Sequence, residues 1–299
     1  MAEDDALWPA PGERVGPYTL GGRVADDGER EWFRTYLADG EGGRVALHLT
    51  GGDAVAELMR TAPATVAAIR AHPRIRAVHA TGVHEPAHAY RAANCPAAFW
   101  WLATAPDDGI PLPAWRVGRA WSEVLPVVRD VGEALVASES AEVRCHALLP
   151  DDIRIGADGR GRVDIGVCAT LRRWVYDGVV AGGMVTGIRE GAYMLPGMRV
   201  EGRDAPAGDG STQRVFCAIA WEALFGRLPF GRTTLEHVMR AVGVDVVDPP
   251  AGEGVPDEIR LALMRGLAID ATERWPSLAA LLTALTPRRR GWLSRLFGP

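Results

Sequence analysis

The residues with the clearest potential for chemistry lie in RCHALLPDDIRI, residues 144–155. A run with polar residues, Pro150 and two acidic residues precede a strand-like segment in which apolar and polar residues alternate. This order is typical of a loop that carries catalytic groups. Within this run lies Ala147, whose side chain cannot accept a proton and so cannot act as a general base. The sequence therefore presents either a site whose chemistry lies elsewhere or the frame of an enzyme without its chemistry.

Composition limits the chemistries that the chain can perform. Its 299 residues suffice for one large domain or for two lobes that share a cleft. All 33 basic residues are arginine, which excludes a Schiff-base lysine, a lysine general base and lysine–phosphate contacts. The net charge of -5 gives no reason to expect nucleic acid as a partner. The four cysteines lack the spacing of a metal site and are expected to be buried hydrophobes.

The sequence also bears on where the protein resides. No apolar run reaches the length of about 18 residues that a membrane-spanning helix needs. The first residues, MAEDDALWPAPGER, are acidic and lack an apolar signal core. We therefore expect a cytoplasmic protein with a flexible leader over residues 1–16.

Residues 17–105 are predicted to form a small, mainly antiparallel β lobe with one helix. Strands are expected at YTLGGRV, EWFRTYLA and RVALHLT, with two more around IRAVHATGV and AAFWWLAT. The segment DAVAELMRTAPATVAAIRA has helical spacing, with an interruption expected at Pro63. The Pro- and Gly-rich residues 106–115 are the predicted connector to a second lobe.

Residues 116–286 are predicted to form a larger, mostly helical lobe. A hairpin is expected to turn at Asp158-Gly159, and the Gly-rich residues 170–210 are too long for a passive connection. Residues 287–299 form a basic, amphipathic tail. Helices are predicted at WSEVLPVVRDVGEALVASES, STQRVFCAIAWEALFG, TTLEHVMRAVG, PDEIRLALMRGLA and SLAALLTAL.

Six motifs follow one another in an order that is typical of protein kinases. They are GRVALHL, AHPRIRAVHATGV, LLPDDIRIGADGRGRVDIG, GAYMLPG, FCAIAWEALFGRLPF and RGLAIDATERWPS. Over roughly residues 17–286, the chain resembles bacterial Ser/Thr protein kinases of the Hanks type. The resemblance implies an α+β fold with two lobes: a small β lobe carrying one helix and a larger helical lobe.

The same resemblance shows which catalytic groups are missing. His48 stands where the lysine that anchors phosphate belongs, and Ala147 replaces the catalytic base. Leu149 replaces the lysine that steadies the γ-phosphate, and VADDGER replaces the glycine-rich loop. Each of these groups normally contributes orders of magnitude in rate, so we expect no catalytic residue in this chain.

Two carboxylates are candidates for a weak metal site. Asp152 stands where the family has an asparagine metal ligand, and Asp164 matches the aspartate of the family's Asp-Phe-Gly motif if the hairpin is one residue shorter. Otherwise Ile165 falls at that position and no acid remains. Asp151 and Asp152 also suit a simple turn cap. His48, Asp152 and Asp164 would then line a vestigial cleft.

Residues that support the active site in the kinase family are also replaced in this chain. Gly197 stands where the activation segment normally ends in glutamate, although its usual arginine partner is kept as Arg274. Thr212 replaces an aspartate of the central helix. The acid of the regulatory helix aligns near Pro63, and Glu57 is the nearest candidate.

The resulting expectation is a pseudokinase: a non-catalytic scaffold or regulatory module that binds a protein, such as an active kinase or another enzyme, and needs no cofactor. A divergent transferase that uses ATP and Mg²⁺ through Asp152 and Asp164 is the alternative. Such a transferase would modify Ser/Thr or transfer a phosphoryl or nucleotidyl group.

Several arginine and aromatic residues, which are frequent at protein interfaces, are candidates for contact with a partner. Arg172, Arg173 and Trp174 lie in the predicted activation-loop region, although the residues favour slightly more a loop that packs on its own lobe. Trp292 and Phe297 in the basic tail suit a partner groove or weak contact with an anionic membrane, and the same segment is equally typical of a fraying terminus. One tryptophan of Phe99-Trp100-Trp101 either fills a vacant adenine pocket or simply packs in the core.

Overall fold

The computed structural model has a mixed α+β fold in which antiparallel strands come first and helices dominate later in the chain. The predicted α+β class and the mainly antiparallel sheet are therefore confirmed. The structure describes residues 8–24, 33–51, 54–69, 71–85, 98–106, 109–143, 145, 148–172, 211–229, 254–268 and 270–286.

Six strands form one sheet in the order β1-β2-β3-β4-β6-β5, and each neighbouring pair is antiparallel. The two-residue connection between β3 and β4 makes a tight hairpin, and β6 is inserted between β4 and β5. The strands are β1 (Arg14–Val15), β2 (Tyr18–Arg23), β3 (Phe33–Gly40), β4 (Gly43–Gly51), β5 (Val78–His84) and β6 (Phe99–Thr104).

Strand β6 is buried on both faces because it lies between two hydrophobic clusters. Phe99 and Trp101 belong to one cluster, where the Trp101 ring meets Tyr18 edge-on with centroids 5.7 Å apart. Trp100 points to the other face and packs against helix α1 (Ala54–Ala68). The alternation follows the two-residue period of a strand. Both tryptophans thus pack in the core of the sheet.

Helix α1 runs unbroken through Pro63, where the sequence predicted an interruption. A proline removes the hydrogen bond to the carbonyl four residues earlier, which here belongs to Met59. Met59 is 53% exposed, so water can reach that turn of the helix. The prediction was wrong because the proline lies on the solvent side, where losing one backbone bond is tolerated.

The later part of the chain surrounds a second core. Helix α5 (Ser211–Phe225) is buried along almost its whole described length; most of its residues are apolar, and Gln213 and Arg214 are buried with them. The predicted hairpin at Asp158-Gly159 is present, with Gly159 at a positive φ of 71°. The elements are β7 (Ile110–Pro111), α2 (Leu112–Trp115), α3 (Trp121–Ser140), a 3-10 turn (Pro150–Asp152), β8 (Ile153–Ile155), β9 (Gly161–Val163), α4 (Ile165–Val167), a π turn (Cys168–Arg172), α5 (Ser211–Phe225), α6 (Asp257–Gly266), a 3-10 turn (Ala271–Glu273) and α7 (Leu278–Ala284).

The helix predicted at TTLEHVMRAVG, residues 233–243, lies outside the described residues. Among the helices that the structure describes, none combines the length and the apolar character needed to cross a membrane. The lobe boundaries predicted from the sequence stay predictions, although residues 110–115 do form a short strand and a helical turn between the sheet and α3.

Candidate functional site

The candidate residues converge where the sheet meets the hairpin of the helical part. Strand β4 contributes His48, the end of β9 contributes Asp164, and the 3-10 turn before β8 contributes Asp152. All three side chains are buried. Buried polar groups must find partners within the protein, so their partners decide what this site can do.

His48 is held from both sides by threonine hydroxyls. Its Nδ1 lies 2.9 Å from Thr35 Oγ1 on β3, and its Nε2 lies 3.0 Å from Thr104 Oγ1 at the end of β6. The register of the sheet produces this arrangement, because His48 pairs with Thr35 on one neighbouring strand. Both ring nitrogens are therefore engaged, and the imidazole is fixed in place.

Asp164 caps the short helix α4 and also faces the sheet. Its Oδ1 accepts a hydrogen bond of 3.1 Å from the Val167 amide. Its Oδ2 lies 4.0 Å from His48 Nε2. Ile165 is fully buried in the hydrophobic core. Of the two positions that the sequence left open, Asp164 is thus the one whose carboxylate faces His48.

Arg76, which sequence reasoning did not single out, completes the cluster. Its guanidinium donates through Nη1 to Asp164 Oδ2 at 2.6 Å and through Nε to the Ala105 carbonyl at 2.7 Å. The two side chains of the ion pair are only 11% and 8% exposed. A built-in cation therefore neutralises Asp164 and connects it to the chain that leaves β6.

The backbone around Arg76 explains how an arginine reaches this position. Residues 74–76 run beside Val163 as a short parallel bridge. The Arg76 amide donates to the Val163 carbonyl, and the Val163 amide donates to the Arg74 carbonyl, each at 2.9 Å. The one signal in the sequence was an alternation of arginine with Ile75 and Ala77, which is also typical of a solvent-facing strand edge.

Asp152 is used in a different way. Its Oδ2 accepts a hydrogen bond of 2.7 Å from the amide of Leu149, so the carboxylate closes the 3-10 turn. Its own carbonyl accepts from the Asp164 amide at 2.9 Å. Leu149 packs into the core of the helical part. Asp152 thus acts as the turn cap that was one of the two interpretations of this sequence.

A third buried carboxylate, Asp130 on α3, anchors the same region and, like Arg76, was missed by sequence reasoning. Its Oδ1 lies 2.9 Å from Arg74 Nε, and Glu133 stands 3.9 Å from the same nitrogen. Its Oδ2 accepts from the Gly161 amide at 2.9 Å and pairs with Arg160. These hydrogen bonds raise the pKa of Arg160. Asp130 therefore ties residues 74–76 and the hairpin to one helix.

Three supporting positions have simple structural surroundings. Arg274 is buried and donates through Nε to the Ala268 carbonyl at 2.8 Å. Thr212 is buried at the start of α5. Glu57 points to the surface of α1, where it pairs with Arg60 at 2.7 Å. This arrangement leaves Glu57 engaged away from His48.

Other candidates fall outside what the structure describes. Arg172 closes the π turn, but its side chain is not among the described ones. The remaining positions outside the described residues are Ala147, Arg173, Trp174, Gly197, Trp292 and Phe297. Within the described ranges, no group of three or more His, Cys, Asp or Glu residues is placed to hold a metal ion.

Within the described residues, Arg76 balances the charge of Asp164, although Arg76 Nη2 is buried without a hydrogen-bond partner. Asp164 has a cation and an amide, His48 has two hydroxyls, and Asp152 has an amide. No protein-family model matches the chain, and no curated protein is similar enough to count as a match. What the site does must therefore be argued from the residues and their geometry.

Proposed function

We propose that the chain is a catalytically inactive, protein-kinase-like domain of two lobes that serves as a protein-binding scaffold or an allosteric regulatory module. The observation that carries this proposal is the buried Arg76–Asp164 ion pair. In the family that the sequence resembles, the aspartate aligned with Asp164 holds the metal ion of the nucleotide. Here an arginine of the same chain takes that place.

The energetic argument follows from burial. A metal ion on Asp164 Oδ2 would displace Arg76 Nη1 from a distance of 2.6 Å and leave the guanidinium, at 11% exposure, without its counter-ion. Breaking a buried ion pair in this way costs about 3–5 kcal/mol. Since 1.4 kcal/mol is a factor of ten, the cost weakens metal–nucleotide binding by roughly 10²–10⁴-fold.

The sequence supports the same conclusion independently. His48 replaces the phosphate-anchoring lysine, and both of its ring nitrogens are engaged by threonines. Ala147 has no proton-accepting group at the position of the base. A domain that keeps the hydrophobic frame while these groups are replaced is suited to binding rather than to phosphoryl transfer.

Thermal unfolding of the full chain, with and without millimolar ATP plus Mg²⁺ or Mn²⁺, tests the proposal. A ligand at 100 times its Kd stabilises by about 2.7 kcal/mol, which corresponds to a rise in Tm of roughly 5–10 °C. We expect no shift. A rise of several degrees that disappears in Asp164→Asn would overturn the proposal and show that the cleft binds metal and nucleotide.

A further inference from the structure

A groove of about 1210 Å³ lies between helices α3, α6 and α7. Its floor contains the small side chains of Ala137, Ala262 and Ala280, which leave room for larger groups. Leu261 on its edge is 55% exposed, although it is a large aliphatic side chain. An apolar segment lying in the groove would bury Leu261 and the alanine side chains away from water.

The wall of the groove is built rigidly. Trp275 lines it, and its Nε1 donates to the Ala262 carbonyl at 2.9 Å. The Arg265 guanidinium stacks on the Trp275 ring at 4.2 Å and donates to the carbonyls of Glu273 and Arg274. Such pinning means that the groove is present before any occupant arrives, which reduces the cost of binding.

The charged residues of the groove differ in how many hydrogen bonds and ion pairs they make with the rest of the protein. Arg265 is stacked and hydrogen-bonded, as described above. Among the described residues, Glu258 makes no ion pair and is exposed, while Glu133 is 47% exposed and lies 3.9 Å from Arg74 Nε. Arg129 and His72 also line the groove. Two carboxylates are thus available to an occupant that brings arginines.

The chain itself carries a segment with these properties. Thr286, the last described residue before the tail, lines the groove. The thirteen residues that follow, PRRRGWLSRLFGP, contain arginines at 288–290 and 295. Its apolar residues, Trp292, Leu293, Leu296 and Phe297, have the spacing of one face of a helix.

We infer that residues 287–299 fold back and occupy this groove. The apolar side chains of the tail lie against the alanine floor and Leu261, and its arginines meet Glu133 and Glu258. A segment tethered at the rim has an effective concentration in the millimolar range, so even a weak intrinsic affinity keeps it docked. The inference does not rest on the Arg76–Asp164 pair and is independent of the proposed function.

Disulfide trapping in the full chain tests this occupant. The variant Leu261→Cys with Leu296→Cys pairs the groove edge with the apolar face of the tail. The control, Val117→Cys with Leu296→Cys, uses a side chain that is 73% exposed and does not line the groove. Both carry Cys95→Ser, and the other three cysteines are buried. Leu261 and Val117 are both exposed, so replacing either of them leaves the core unchanged.

Mass spectrometry measures the rate at which each pair forms an intrachain disulfide in dilute solution. Comparing the two rates tests whether the tail occupies the groove. We expect the Leu261 pair to form its disulfide at least about tenfold faster than the Val117 pair, because docking raises the effective concentration. Adding Glu258→Arg should slow the Leu261 pair only. Equal rates for the two pairs would overturn the inference. A disulfide that joins two chains would also overturn it and assign the groove to the tail of a second copy.

Discussion

Replacing Arg76 by methionine removes the cation from the buried cluster while keeping an unbranched side chain of similar length. Asp164 then keeps only the Val167 amide, and the Ala105 carbonyl loses its donor. Because Asp164 is 8% exposed, water cannot take over the role of the guanidinium. We expect the free energy of unfolding to fall by about 3–5 kcal/mol, the usual cost of breaking a buried pair from one side.

Urea unfolding followed by tryptophan fluorescence measures this loss, and the corresponding fall in Tm is roughly 6–20 °C. Combining Arg76→Met with Asp164→Asn should recover much of it, since the amide removes the stranded charge and still accepts from Val167. The difference between the double variant and the sum of the single variants gives the coupling energy of the pair.

A surface pair provides the matched control. Arg44 Nε lies 3.0 Å from Asp39 Oδ1, but these side chains are 62% and 63% exposed. Arg44→Met should leave the unfolding midpoint almost unchanged, because exposed ion pairs contribute little. If Arg76→Met were no more costly than Arg44→Met, or if its effect and that of Asp164→Asn simply added, the proposed neutralisation of the cleft would be wrong.

Three further outcomes are expected. Gly266→Ala should destabilise the protein by about 1–3 kcal/mol in urea unfolding, because the added Cβ would lie 2.3 Å from Cys217 Sγ. The control Gly42→Ala should be neutral or stabilising, because no atom lies within 4 Å of the added Cβ. Equal effects of the two substitutions would refute this packing. Asp152→Ala should cost about 1–3 kcal/mol in the same assay, because the Leu149 amide loses its buried acceptor; a neutral effect would contradict the capping role. Burial raises the pKa of the Cys217 thiol, so its contribution to stability is full below the unfolded-state pKa and is lost as pH rises above about 8.5. Stability should then fall more steeply with pH in the native sequence than in Cys217→Ala, by about 1.4 kcal/mol per pH unit; parallel curves would contradict it.

The sequence predicted the local elements well where one period dominates. Helix α3 spans Trp121–Ser140, the range that its apolar spacing indicated, because a wide stripe of buried residues repeats without interruption. The hairpin at Asp158-Gly159 was found because its turn needs a residue at positive φ. Pro63 was misjudged, since a sequence does not show whether a helix turns its proline toward water.

The partners of the site residues could not be predicted in the same way. Arg76 and Asp164 are 88 positions apart, and His48 and Thr104 are 56 apart. Each pairing depends on the register of strands that the sequence does not specify locally. The spacing of arginines at 74 and 76 is equally suited to a solvated strand edge. Only the bridge to Val163 turns Arg76 inward, and this contact is a property of the whole fold.

The bridge between residues 74–76 and Val163 also determines how the region can move. Two backbone hydrogen bonds, the Arg76–Asp164 pair and the Arg74–Asp130 pair would all have to break for the sheet to swing away from the hairpin. Clefts that bind and release a ligand usually open and close through hinges that absorb such motion. In this protein, residues 74–76 are bound to Val163 and Asp164 at the hairpin and to Asp130 on α3. For the protein-binding function proposed above, this means that a partner would meet a region whose shape is already fixed, so that association would spend little entropy on ordering it.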